Sequence, residues 1–415
     1  MNSSLSRRQF LRMSSQNVGT LLRDAREARG LTQGEAAESL GVARTTLSAI
    51  EAGNRQVRPD ELLHLSEMYG RTLNELIGER EIISDFPSQF RASHLARAAG
   101  DVEAELLAAV HQFQRLCEDY LFLETTNGVS LRRDYPPEYP IMLNQAEQSG
   151  QDAATTERNR LGLGDGPIPD LRQVLEDEVG LRVFTIPLPS KVAGIFAYNE
   201  ALGGCIAVNE LHPAERRQWS LSHEYGHFLT ARHRADIAPV QPSFRPNAFE
   251  RCADAFAGAF LMPATGLQRR FNQAAREAGG LVTPVEIMRL AIAYQVSFQA
   301  MTFRLERLRH LPKGTWKRLT GKGFKVREAQ MLAGLQINEK AGSGLPIRYQ
   351  LLACRAFEDG EITESHFARL LRLDRLEARA VRLRFLEGTV ANNELDGSLF
   401  SQELLPGVET VPQSG

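Results

Sequence analysis

Apolar positions recur every three or four residues over most of this chain, and only one central stretch switches to short alternating, β-rich runs. In "VGTLLRDARE", Val18, Leu21, Leu22 and Ala25 share one helical stripe. Thr32 with Glu35 three residues on is a capping box that opens a second helix, and Gly41 closes it. A third helix is expected from about Ala43 to Ala52, stopped by Gly53-Asn54, and Pro59 opens a fourth through "DELLHLSEMYG". Two short helices joined by a turn containing Gly make a helix-turn-helix arrangement.

The pattern weakens in "SDFPSQFRASHLARAAG" (84–100), a linker, and returns as an amphipathic helix over 101–124. That helix reads as packed onto one of the domains, with a connector or dimer contact as the alternative. A Pro-rich loop spans 125–140, and helices follow near 146–160 and in "IPDLRQVLEDEVG". "LRVFTIPLP", "VAGIFAYN" and "GGCIAVNE" are strands. Helices resume at about 213–232, 249–262, 264–278, 283–294 and 297–310.

"LPKGTWKRLTGKGFKVRE" (311–328) holds six basic residues and one acid around Trp316 and Phe324. It is expected to be a solvated connector, although basic residues with aromatics can also grip nucleic acid. The end of the chain is helical, and "GEITESHFARLLRLDRLEAR" is loosely helix-turn-helix in form against a plainer bundle reading.

The fold class expected is multidomain and mainly α: an all-α N-terminal domain, a central α+β domain of the zincin kind with a small sheet, and a C-terminal helical region. The expected boundaries are a basic arm 1–16, the helix-turn-helix domain 17–80, a linker 81–145, the central domain 146–310, a basic connector 311–328 and the helical region 329–415.

A length of 415 residues supports two or three domains. A net charge of −2 offers no global attraction for nucleic acid, so any such binding is local. Cys117, Cys205, Cys252 and Cys354 are scattered, which fits reduced thiols in a cytoplasm. No window has the apolar length of a membrane span, and no membrane partner is expected. "SRRQFLR" resembles a twin-arginine export signal, but the polar continuation makes it a short basic arm, with Met13 an alternative start.

The chemistry concentrates in "SLSHEYGHFLTARH" (220–233). On a helix, His223 and His227 stand four residues apart on one face and can bind one cation, while Glu224 can reach a water there. "FERCADAFAGAFLMP" supplies Glu250 as a third ligand and, one turn on, Asp254 to accept the outer N–H of a ligating histidine. Two imidazoles and a carboxylate favour zinc, with manganese also compatible. Glu224 is then the general base of a metal-dependent peptidase. Tyr198, Tyr225 and His233 are donors near in sequence whose plainer reading is structural, and Cys252 is a weak candidate for a redox switch. "GIFAYN" or "GCIAVN" could be a sheet edge that receives an extended substrate.

These motifs carry two resemblances. "GCIAVNELHPAERRQWSLSHEYGHFL" and "ERCADAFAGAFLMP", with the later "LAIAYQVSFQAMTFRLERL", resemble the ImmA/IrrE family of metallopeptidases over roughly 165–310. The resemblance implies metal binding by His223, His227 and Glu250 with catalysis by Glu224. It also implies a helix-turn-helix repressor, an antitoxin-like partner or the chain itself as substrate.

The stretch from "LLRDAREARG" to "LNELIG" is similar to the Cro/C1-type (XRE) DNA-binding domain. That implies a double-stranded DNA operator read by Arg44, Thr45, Thr46 and Ser48, with Gln33 and Arg55 on the phosphate backbone. Residues 1–80 carry 11 basic and 10 acidic side chains, a net of +1, so a homodimer is expected to supply the affinity. The domain could instead recognise a protein partner. The alternative for the whole is a non-proteolytic transcription factor whose peptidase-like domain senses a small ligand.

Overall fold

The computed structural model describes residues 18–27, 29–71, 76, 86, 101–233, 236–239, 247–335 and 344–395. The basic arm, most of the 84–100 linker and everything from 396 lie outside them.

The chain begins with α1 (18–27), α2 (Gln33–Leu40), α3 (Arg44–Glu51) and α4 (Pro59–Tyr69). The long α5 (Asp101–Thr126) and α6 (Ala146–Arg160) follow, then α7 (Leu171–Val174), which continues as a π turn over Leu175–Val179. The strands are β1 (Arg182–Ile186), β2 (Val192–Asn199) and β3 (Gly203–Asn209). Next come α8 (Ala214–Ala231), β4 (Asp236–Pro239), α9 (Ala248–Leu261), α10 (Ala264–Glu277), α11 (Pro284–Ala293) and α12 (Phe298–Arg307). The chain then forms α13 (Thr315–Gly321), α14 (Val326–Leu332), α15 (Ile347–Glu358), α16 (Glu364–Leu371) and α17 (Arg375–Leu395).

Two compact units result, one from residues up to 82 with Ile362–Val381, the other from Ile83–Glu361 with the residues from Arg382 on. The single C-terminal region expected over 329–415 is therefore divided. Gly360, at φ 78° just after α15, reverses the chain at that point. Beyond it, Phe367, Leu370 and Ala378 are buried in the smaller unit.

In the smaller unit the expected caps form: Thr32 and Glu35 bond reciprocally, and Gly41 ends α2 at φ 72°. Leu22, Ala36, Leu47, Ile50 and Leu65 make its core. Gly19 lets α1 press on the end of α3, because a β-carbon there would meet the Ile50 carbonyl oxygen at 2.4 Å. Arg26 Nε and Nη2 reach the two oxygens of the buried Glu51 at 2.7 and 3.1 Å.

The larger unit carries a four-stranded sheet in the order β1-β3-β2-β4. β1 pairs parallel with β3, while β2 is antiparallel to both β3 and β4. The sequence does not reveal β4, whose four residues end in Pro239 and are too short to display alternation. Its presence corrects the substrate-edge expectation: β2 lies between β3 and β4, and β3 between β1 and β2. Among the described strands the edges are β1 and β4.

Helix α9 is lodged between α6 and α8. A β-carbon on Gly150 of α6 would meet the Cys252 carbonyl oxygen at 2.2 Å. One on Gly226 of α8 would come within 3.1 Å of the Phe256 ring and 3.2 Å of the Ala253 Cα.

The 311–328 stretch keeps its charged residues exposed, as a solvated connector would, but it is not irregular. It folds into α13 and the start of α14, and Phe298 holds the rings of Trp316 and Phe324 at 6.1 and 5.2 Å. The aromatics that could have stacked on bases are half-buried against the protein's own core.

Candidate metal centre

Helix α8 brings His223 and His227 to one face, their Nε2 atoms 3.1 Å apart. Glu250 arrives from the first turn of α9, with Oε2 3.5 Å from His223 Nε2 and Oε1 3.7 Å from His227 Nε2. Two ligands on a tetrahedral zinc, each at roughly 2.1 Å, stand about 3.4 Å apart. The three donors would therefore fit such an ion, which would still need a fourth ligand. His223, His227 and Glu250 are the metal-capable cluster among the described residues.

The neighbours of the triad explain its shape. Asp254, one turn beyond Glu250, places Oδ1 3.0 Å from His223 Nδ1. An Nδ1–H donated there leaves the Nε2 lone pair directed at the cluster. Burial works against charging His223, but the carboxylates of Asp254 and Glu250 outweigh it and hold the imidazole well above the ordinary histidine range. Asn247 caps α9 by accepting from the Glu250 N–H at 3.0 Å, which puts Glu250 in the first turn. Gly226 permits the close crossing that carries α9 to α8.

Glu224 is fully buried, on the side of α8 that faces the sheet. A β-carbon on Gly194 would lie 2.6 Å from Glu224 Oε1, so the carboxylate rests on β2 where a side chain would otherwise stand. Next to it, the Tyr225 hydroxyl donates to Glu157, a fully buried carboxylate that also accepts from Arg160 at 2.7 and 3.0 Å and from Tyr139 at 3.0 Å. Tyr225 is thus an anchor for α8. Tyr198 and His233 pack on one another, ring centroids 5.1 Å apart, and Tyr198 also meets Tyr135.

Cys252 is fully buried, and burial pushes its thiol up to about 11, which removes the thiolate a redox switch needs. Asn209, at the end of β3, donates to the Leu188 and Val192 carbonyls at 3.1 and 2.8 Å and so ties down the β1–β2 connection. Glu157, Asn247, Gly194 and Gly226 were not singled out from the sequence. Only Gly226 had a legible signal, since a glycine inside a buried helix implies close approach of another backbone.

In the helix-turn-helix unit, Arg44 and Thr45 are exposed and Thr46 and Ser48 half-buried, all on the first five residues of α3. The two residues assigned to phosphates are engaged within the unit. Gln33 Nε2 donates to Glu51 at 2.9 Å, and Arg55 grips Glu61 with two bonds of 2.9 and 2.8 Å.

Residues 176–306 match the model of the IrrE N-terminal-like domain (Peptidase_M78), and residues 17–76 match that of a helix-turn-helix domain. Over 66 residues the chain is 38% identical to the HTH-type transcriptional regulator ImmR of Bacillus subtilis (strain 168). That match takes in 16% of this chain and 52% of the relative, so the chain spans about half the length of the curated relative it matches.

Among solved structures, ComR from Streptococcus suis aligns over 94% of this chain and 92% of its own, at 10% identity and a TM-score of 0.15. Bacillus thuringiensis PlcR in complex with the peptide PapR7 and DNA aligns over 92% and 100%, at 13% identity and 0.16. At such scores neither likeness bears on the fold. On the two family matches, the chain joins an N-terminal helix-turn-helix domain to a domain of the IrrE N-terminal-like (Peptidase_M78) family.

Proposed function

We propose that the protein is a DNA-binding transcriptional regulator whose central domain is a metal-dependent endopeptidase. It would relieve repression by cutting a helix-turn-helix repressor, an antitoxin-like partner or itself. One observation carries the enzymatic half: His223, His227 and Glu250 converge at ligand spacing with Asp254 Oδ1 3.0 Å from His223 Nδ1. The match to a protein named as a transcriptional regulator supports the other half.

His223, His227 and Glu250 would hold the ion, zinc by preference for two imidazoles and a carboxylate and manganese as the alternative. A bound divalent ion supplies Lewis acidity, lowering the pKa of a water towards neutrality and polarising a peptide carbonyl. The protein's own groups do the rest. Glu224 accepts a proton from the attacking water on a carboxylate oxygen and delivers it to the leaving amine. Asp254 keeps His223 oriented, and Gly194 leaves the space in which the Glu224 carboxylate sits. On DNA, Arg44, Thr45, Thr46 and Ser48 would face the major groove from α3 of each subunit of a homodimer, in the cytoplasm.

The test compares wild type with Glu224→Gln, both zinc-loaded, against helix-turn-helix repressors encoded nearby, with intact masses recorded before and after. Cleavage by wild type alone supports the peptidase with Glu224 as base. If neither cleaves anything and both regulate one promoter equally, the peptidase reading fails and the central domain is a sensor.

A further inference from the structure

Beside the metal centre, on the far side of Asp254, lies a cavity of about 550 Å³ that the proposed mechanism does not use. Its apolar lining comes from Trp219 of α8, Met262 just after α9 and Phe303 of α12. Phe303 is 47% exposed, a large ring left facing an open space. The lining also holds Arg304, which is only 5% exposed.

Arg304 is the anomaly. Its Nε donates to the Met262 carbonyl at 2.9 Å, yet its Nη1, also buried, has no hydrogen-bond acceptor among the described residues. Burial and the neighbouring Arg307 drive its pKa down to about 10, the mark of a cation without a counter-charge. Arg307 itself is held by Glu147. Of the two carboxylates on the cavity wall, Glu215 and Asp254, the latter is bonded to His223. A buried donor left unmade is costly, so such a group is kept where something else completes it.

We propose that this cavity binds a carboxylate with an apolar body, the carboxylate completing Arg304 and the body lying against Trp219, Met262 and Phe303. An arginine matches a carboxylate in charge and in its planar, forked geometry. Two sources share that chemistry, a free aryl- or alkyl-carboxylic acid and the C-terminal carboxylate of a peptide. The site goes beyond the peptidase reading and stands whether or not the metal centre cuts anything, because its readout is binding.

The experiment is calorimetric titration of the full chain with 4-phenylbutyrate and its amide, and with a tripeptide ending in phenylalanine, as free acid and as C-terminal amide. At least one acid is expected to bind roughly tenfold or more tightly than its amide, the worth of a charge-assisted bond. Arg304→Met should abolish that preference. Should that variant not fold, Gln299→Glu decides: Gln299 is an exposed lining residue, and a negative charge there should weaken the acid several-fold and leave the amide unchanged. Phe303→Ala should weaken acid and amide alike. Preference for the free acid assigns the site to a small effector, and preference for the peptide acid assigns it to a peptide end. Equal binding of acid and amide in both pairs, no binding by either acid, or an acid preference unmoved by Arg304→Met and Gln299→Glu would overturn the proposal.

Discussion

The carboxylate of Glu224 occupies the place where residue 194 would carry its side chain: a β-carbon on Gly194 would stand 2.6 Å from Glu224 Oε1. Strand β2 and helix α8 are thus fitted to one another through the proposed general base itself. Gly194→Ala should push that carboxylate aside while leaving the three ligands in place. The expected result is a fall in kcat on the order of a hundredfold, since a misplacement of about 1 Å costs that much. Zinc content should stay at the wild-type level. Loss of zinc along with activity would mean that the strand supports the ligands instead.

Asp254 would act on a bound ion through His223, whose Nδ1 lies 3.0 Å from its Oδ1. Removing its carboxylate with Asp254→Ala should weaken zinc binding about 10- to 100-fold, as losses of such partners do. Competition with a chromogenic chelator measures this directly, and an unchanged affinity would make Asp254 irrelevant to the ligand set.

The buried pair Arg26–Glu51 braces α1 against α3, with Gln33 adding a third bond to the same carboxylate. Glu51→Gln leaves the buried Arg26 guanidinium with only the exposed Glu27 carboxylate, 3.3 Å from Nη2, and breaking a buried pair costs about 3–5 kcal/mol at most. Thermal unfolding of the N-terminal unit should shift down accordingly, while zinc content stays unchanged.

The Arg55 guanidinium holds the Glu61 carboxyl down at about 2, against an ordinary value of 4.5. Its contribution to stability is fully present above 4.5 and is lost as the pH falls through about 2. The difference in urea midpoint between wild type and Glu61→Gln should therefore be steady at neutral pH and shrink from pH 4.5 downward. A difference that grows with acid would contradict the pairing.

Arg44 is exposed on the first turn of α3. If it reaches DNA, Arg44→Ala should lower operator affinity by about 1–3 kcal/mol without altering the unfolding temperature. Fluorescence anisotropy at fixed salt reads this, and an unchanged affinity would redirect the domain towards a protein partner.

The elements with long periodic patterns were legible in the sequence: the expected helices at 213–232 and 249–262 appear as α8, one residue inside both limits, and α9, shifted one residue earlier. The histidine pair was legible because a helix alone fixes its spacing. Elements defined by partners were not. Four-residue β4 exists through its pairing with β2, and its Pro-ended sequence gives no alternation to read. The inward turn of Trp316 and Phe324 was hidden for the same reason, since it takes Phe298 and Phe303 of α12 to show where those rings go. Glu157 gave no signal at all: an acid in a polar helix looks solvated until Tyr225, Arg160 and Tyr139 are seen around it.

The cap at Asn247 frees the chain from counting. Because its side chain fixes where α9 starts, the position of Glu250 is set three residues earlier and not by the distance from His227. Successive residues of a helix point about 100° apart, so a one-residue slip inside α9 would swing the ligand away from the histidines. The same residue added ahead of the cap would leave it in place. A change of length between β4 and Asn247 would therefore leave Glu250 facing the two histidines.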